Sequence, residues 1–400
     1  GVGGAGGGTA QAITQASMQT TTAADQATLI ARAIMPDGES PGPWDAARDL
    51  QPDLTSPGGI QPVGGFSALV RDRHGDLWAM PDNGYGTQAA SPSYILRMYR
   101  VAPHYETAKG GSGTVDVLKN FSLRDPNHVI PWPIVSEGTK DRFLTGYDFD
   151  IEAVRQVSDG TWWFSDEFGP FLLHTDAKGK LLEPPVVTPG VCSAENPLRP
   201  PGVAPNLART SGFEALALTT DGKRLLPVLE GPVTGQDPLN RPMFEYDLKK
   251  RSYTGRNWIY PMSEGGGASI SDMTAIDENR YVTIERDNGQ GPAAQWKRVF
   301  LIDFREADAT GRLVKHQLAD LLALSDPAEI SLPARPGDIG LGTAFSMPYF
   351  TVEAVLPVKV TRHSAELAIV NDTNFGSTGR NPGLPDYSDF IVIRTPLPTG

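Results

Sequence analysis

Short apolar runs alternate with polar turns along most of this chain, and five stretches repeat one pattern. They read GFSALVRDRHGDLWAMPDNGYG over residues 65–86 and DFDIEAVRQVSDGTWWFSDEFGP over 148–170. GFEALALTTDGKRLLPVLEGP follows over 212–232, ISDMTAIDENRYVTIERDNGQG over 270–291 and FTVEAVLPVKVTRHSAELAIVNDTNFG over 350–376. In each, a small or acidic residue opens an apolar strand. A polar turn, a second apolar strand and an acidic, glycine-containing ending come next. Asp159-Gly160 and Asp221-Gly222 are hairpin-turn signals, because such pairs accept the positive φ values that tight hairpins need.

A further strand-like run follows every hairpin, at 94–101, 171–175, 243–248, 299–304 and 390–395, with outer candidates at 114–118 and 258–261. A hairpin followed by one or two more strands is the blade unit of a β-propeller. The predicted fold is therefore an all-β propeller of five blades, or of six if a long Pro- and Gly-rich gap (128–139 or 325–348) hides a degenerate blade. The run 28–35, TLIARAIM, has no hairpin partner of its own. It is expected to supply the outer strand of the last blade, closing the ring and removing an exposed edge. Residues 1–26 read as a flexible N-terminal segment, and 27–400 as a single propeller domain.

Composition narrows the chemistry. The formal net charge of −12 argues against nucleic acid as a partner, since phosphate backbones require a basic face. A single cysteine, Cys192, excludes an internal disulfide and a zinc-thiolate site. The six histidines are scattered, with no HExxH motif. There is no apolar run long enough for a membrane span, and no G-x-S-x-G elbow. The polar, glycine-rich start resembles that of a mature secreted or periplasmic protein.

Acidic residues recur at the open end of the hairpins. Counting outward from each turn sets Ser67 opposite Asp82, Glu152 opposite Glu167 beside Asp166, and Glu214 opposite Leu229 beside Glu230. It sets Asp272 opposite Ile284 beside Glu285 and Asp287, and Glu353 opposite Asp372. Asp148, Asp150 and Glu152, two apart, are expected on one face of a strand. Propeller symmetry gathers these open ends around one axis. Carboxylates so gathered either hold protons or bind a cation, and an all-oxygen donor set without His or Cys selects Ca²⁺ or Mg²⁺. The candidate ligands are Asp82, Asp150, Glu152, Asp166, Glu167, Glu214, Asp272, Glu285, Asp287, Glu353 and Asp372. Asn83, Asn288, Asn371 and Asn374 are further oxygen donors. The irregular ring favours calcium.

The segments DFDIEAVRQVSDGTWWFSDEFGPFLLHTDAKGKLL, SGFEALALTTDGKRLL, ISDMTAI, VTIERDN and VNDTNFG resemble the phytase-like family described as having esterase-like activity of phytase. That resemblance implies a relationship to the β-propeller phytases and a calcium-supported hydrolase of phosphoric esters, with a small-molecule phosphate ester as substrate. On this reading Glu214 or Glu167 is the general base and Arg286 binds phosphate. Two other readings compete: a metal-dependent lactonase or other esterase, and a non-catalytic propeller that calcium stabilises and whose face binds a protein or polysaccharide. Oligomeric state is left open.

Overall fold

The computed structural model describes residues 26–36, 61–263, 266–339, 344–373, 379–384 and 386–398. Nearly all of the predicted flexible segment, and Asn374, lie outside these residues.

Alternation of apolar and polar positions builds the strands, and turn residues end them. The first blade holds β2 (Phe66–Arg71), β3 (Leu77–Pro81), β4 (Arg97–His104) and β5 (Thr114–Ser122). The second holds β6 (Ile151–Gln156), β7 (Trp162–Asp166), β8 (Phe171–Thr175) and β9 (Val186–Val187). The third holds β10 (Phe213–Leu218), β11 (Arg224–Leu229), β12 (Asn240–Asp247) and β13 (Ser252–Pro261). The fourth holds β14 (Ser269–Ala275), β15 (Arg280–Arg286), β16 (Lys297–Asp303) and β17 (Lys315–Asp320). Each is an antiparallel meander whose strands pair in sequence order.

The fifth blade joins the two ends of the chain. Its strands β20 (Thr351–Val360), β21 (Ser364–Asp372) and β22 (Tyr387–Pro396) are followed in space by β1 (Thr28–Pro36), which pairs antiparallel with β22. The N-terminal strand thus closes the ring as expected. The gap before β20 carries only the two-residue strands β18 (Leu324–Ser325) and β19 (Ala344–Phe345), so five blades, not six, are present among the described residues.

The inner strands pack in the cyclic order β2, β6, β10, β14, β20 and back to β2. Between blades the core is apolar, and both faces of a blade are buried. Trp162 and Trp163 point to opposite faces of β7, into two different core clusters, and both are buried.

A β-bulge interrupts all five inner hairpins at the same place. Phe66 pairs with Pro81 and Ala68 with Met80, leaving Ser67 unpaired between them. The same slip leaves Glu152, Glu214, Ser271 and Glu353 between ladder pairs in the other four blades. A bulge inserts one extra residue and re-aims its side chain. The simple hairpin count used above therefore fails near the open ends. Glu152 does not face Glu167, because Asp166 pairs with Ile151. Glu353 does not face Asp372, which pairs with Thr351.

Candidate functional site

Because the bulge recurs, equivalent positions can be compared blade by blade. The bulged residues form one tier: Ser67, Glu152, Glu214, Ser271 and Glu353. The residues that follow the ladder partner of each pre-bulge residue form another: Asp82, Glu167, Glu230, Arg286 and Asp372. Seven of these ten side chains are carboxylates, and Arg286 takes the place of an acid in the fourth blade.

Six of these carboxylates, joined by Asp150, converge in three overlapping groups: Asp82, Asp150 and Glu152; Glu152, Glu214 and Glu353; Glu167, Glu214 and Glu230. In each, three oxygens lie within 4.8 Å of one another. Glu152 and Glu214 each belong to two groups, so the acids form one continuous cluster spanning four blades. Asp372 lies at its edge, 3.4 Å from the Ser67 hydroxyl that donates to it.

Backbone contacts fix the cluster from below. The Glu167 amide donates to the Asp150 carbonyl at 2.9 Å, and the Glu230 amide to the Gly212 carbonyl at 2.7 Å. Gly212 must be glycine for steric reasons, since a Cβ there would lie 2.0 Å from the Glu167 carbonyl oxygen. Asp150 accepts the Asn83 amide at 3.2 Å, linking the first and second blades.

Burial sets the electrostatics. Away from water the charged form of a carboxylate is disfavoured, and like charges nearby disfavour it further. Burial raises Asp150, Glu152, Glu167 and Glu214 well above the usual carboxylate range, and neighbouring acids reinforce the shift. Burial likewise pushes Asp82 up to about 6. Arg286 responds in the opposite sense. Burial works against its charge, but Glu353, Glu230, Glu214 and Glu152 override this and hold it above its ordinary value. Its guanidinium lies 3.2 Å from Glu230 and 3.8 Å from Glu353, and donates also to Asn288.

Four of the predicted ligands are engaged elsewhere. Asp166 accepts the backbone amides of Asp150, Gly169 and Phe171, which turns the chain after β7. Asp272 follows the bulge rather than occupying it, so it points away from the cluster. There it pairs with Arg155 at 3.4 Å and accepts the Val355 amide at 3.0 Å. Glu285 is fully buried against Lys315 at 2.8 Å and the Tyr260 hydroxyl. Asp287 holds Lys297 at 2.8 Å and the amides of Gln295 and Trp296. Asp148 caps the amides of Val135 and Thr145 in the loop before β6, so it does not share a strand face with Asp150 and Glu152. Conversely, Glu230 belongs to the cluster although it is absent from the ligands predicted above. The signal was present: Glu230 ends the third hairpin as Glu167 ends the second.

The donor chemistry suits a hard cation. Every side chain in the three groups offers carboxylate oxygen. Two buried oxygens, Glu167 Oε1 and Glu353 Oε2, have no hydrogen-bond partner among the described residues, which is costly unless something else satisfies them.

Fold and site define a five-bladed propeller with a two-tier acidic ring at one end of its axis. The chain belongs to the phytase-like family, described as having esterase-like activity of phytase, whose model matches residues 61–375. An uncharacterized secreted protein of Arthroderma benhamiae is 23% identical over 330 residues, covering 66% of this chain and 64% of that protein. The aligned part thus spans less than two thirds of that relative.

Among solved structures, a luciferin-regenerating enzyme covers 92% of both chains at 11% identity and a TM-score of 0.37. The Dos1 propeller covers 82% of this chain and 67% of its own, at 11% identity and 0.34. Virginiamycin B lyase from Staphylococcus aureus covers 82% and 79%, at 10% identity and 0.34. Among the described residues no helix is long and apolar enough to cross a membrane.

Proposed function

We propose that this protein is a secreted, calcium-dependent hydrolase of phosphoric esters acting on a small-molecule substrate. The observation that carries the reading is the continuous carboxylate cluster with two buried oxygens that find no hydrogen-bond partner among the described residues. Family membership and the secreted relative support it.

Asp82, Asp150, Glu152, Glu214, Glu353, Glu167 and Glu230 would hold the cation, with Asp372 at the edge. A divalent cation in such a ring supplies neutralising charge for a phosphoryl group and a lowered pKa for water. The chain's own residues would divide the remaining work. Glu167 takes up the proton of the attacking water on its unpartnered Oε1, the general-base role. Glu214, shared between two groups, keeps that oxygen oriented through the acids around it. Arg286 keeps its guanidinium against Glu230 and Glu353, which fixes both carboxylates and places a positive charge where an anionic ester must approach.

The test is hydrolysis of a generic aryl phosphate by chelator-dialysed protein, with and without added calcium. Turnover that calcium restores, and that Glu167→Gln abolishes, is the expected result. Turnover indifferent to chelation overturns the mechanism.

Depth of burial favours a second reading. Glu152, Glu214 and Glu353 are 6%, 2% and 4% exposed, as suits a cation that only fastens the blades together. A calcium-induced rise in melting temperature without turnover of any phosphate ester or lactone would select it.

A further inference from the structure

The hairpin turns lie at the opposite end of the blades from the acids, and there the charge changes sign locally. A cavity of about 370 Å³ opens between the turns of the second and third blades. It is lined by Lys223 and Arg224 from the β10–β11 hairpin and by Lys249 and Arg251 from the β12–β13 turn. Four cations around one cavity are unexpected in a chain of net charge −12.

Three of the four are uncommitted. Only Arg224 has a carboxylate within ion-pair range, Glu245 at 3.6 Å. No carboxylate lies within ion-pair distance of Lys223, Lys249 or Arg251 among the described residues. Two acids, Asp159 and Asp247, also line the cavity, each held through its Oδ1 by a local turn. Asp159 accepts the amide and hydroxyl of Thr161 at 2.9 and 2.7 Å. Asp247 accepts the amides of Lys249 and Lys250 at 3.0 and 2.9 Å. Those carboxylates shape the turns, and the four cations outnumber them around the cavity.

The floor is rigid and partly apolar. Trp163 stacks on His174 with centroids 4.1 Å apart and rings 9° from parallel. Both nitrogens of His174 are engaged, with Glu183 and Thr161, each at 2.8 Å. Val157 and Leu248 complete the wall. Cavities of this size accept small molecules rather than polymers, and a ring of lysine and arginine around an apolar floor suits a multivalent oxyanion.

We propose that this cavity is a second ligand site, separate from the acidic ring, for a small molecule bearing a phosphate- or sulfate-type oxyanion. The probes are inorganic pyrophosphate, phosphate and sulfate, titrated by calorimetry into the full chain dialysed against chelator. Chelation removes any contribution from cations at the acidic ring, so this test stands independently of the proposed hydrolase. One site per chain is expected. Pyrophosphate should bind tightest, and its affinity should fall as salt screens the cations. Better binding of phosphate than of sulfate would mark a phosphorylated ligand, and the reverse a sulfated one.

Charge reversal at Lys223 or Arg251, both at the surface, should weaken binding about tenfold or more while leaving the melting temperature unchanged. No heat of binding up to about 10 mM probe, a regime of contacts too weak to matter, overturns the proposal. Binding that survives both reversals, or that appears only when calcium is restored, overturns it equally.

Discussion

Glu214, like Glu152, sits in two of the three carboxylate groups, and it lies beside Glu230 and Glu353, so its charge is disfavoured without a cation. Glu214→Gln keeps the shape and removes that charge. Two opposite effects are expected. The chelated protein should melt at a higher temperature than wild type, and the further rise on adding calcium should shrink. Calcium-supported hydrolysis should fall about 100-fold, within the range of a lost acid–base or ligand group. Scanning calorimetry and an aryl phosphate assay read these separately. Arg286 gives the contrasting case. Arg286→Met strips the counter-charge from Glu230 and Glu353 in a buried setting. Breaking a buried pair on one side costs about 3–5 kcal/mol, and urea unfolding of the chelated protein should show that loss.

At the scale of elements, the ring depends on its bulges and its closing strand. The five bulges turn one side chain per blade toward the axis, and blade-to-blade differences at those positions set the chemistry. Ser67 and Ser271 leave gaps in one tier, and Arg286 interrupts the other. The closing strand is fastened by charge as well as by its ladder. Arg32 on β1 is fully buried, 2.9 Å from Asp338 and 2.8 Å from Asp389 on β22. Arg380 joins the same network through Asp338 and Asp386. Arg32→Ala takes the ion-pair partner from Asp389 and leaves Asp338 with Arg380 alone, and should destabilise the protein by about 3–5 kcal/mol. The midpoint in urea should drop accordingly, and the freed edge of β22 should promote aggregation. An unchanged midpoint would mean that the ladder alone holds the closure.

Across the whole molecule, the pH dependence of stability follows from the buried acids. Burial raises Asp82 and Asp272 to about 6 and Asp166 to about 7, from an ordinary value of 3.8. The folded state therefore holds these protons more tightly than the unfolded state. That stabilisation is complete below the ordinary value and disappears as pH rises through 6 to 7. Asp338 behaves oppositely. Despite burial, Arg32 holds it down to about 2, so its contribution is present above the ordinary value and lost toward pH 2. Without cations, stability should peak near pH 4 to 5 and fall toward neutrality. Calcium should lift the neutral side, because at Asp82 and its neighbours in the cluster it replaces the missing protons, while the losses at Asp166 and Asp272, outside the cluster, remain. Melting curves across pH, with chelator and with calcium, check both arms. A chelated protein that grows more stable between pH 5 and 7 would contradict this account.

Local pattern determined much of this protein. Apolar alternation and turn residues dictate the strands, their grouping by blade and the closing role of β1, because such signals act over a few residues and repeat. Much of the acidic ring was legible for the same reason, since acids recur at the hairpin ends. The tertiary structure decided which of them meet. A one-residue bulge, invisible to a count from the turn, puts Ser271 rather than Asp272 at the ring position of the fourth blade and breaks the expected facing of Glu152 with Glu167. Packing between blades gave Asp272 to Arg155 and brought Glu230 into the cluster, while within the fourth blade Lys315 of β17 reaches across to Glu285 of β15. Those outcomes depend on contacts between residues far apart in sequence, where a shift of one position redirects a side chain, and no local pattern carries that information.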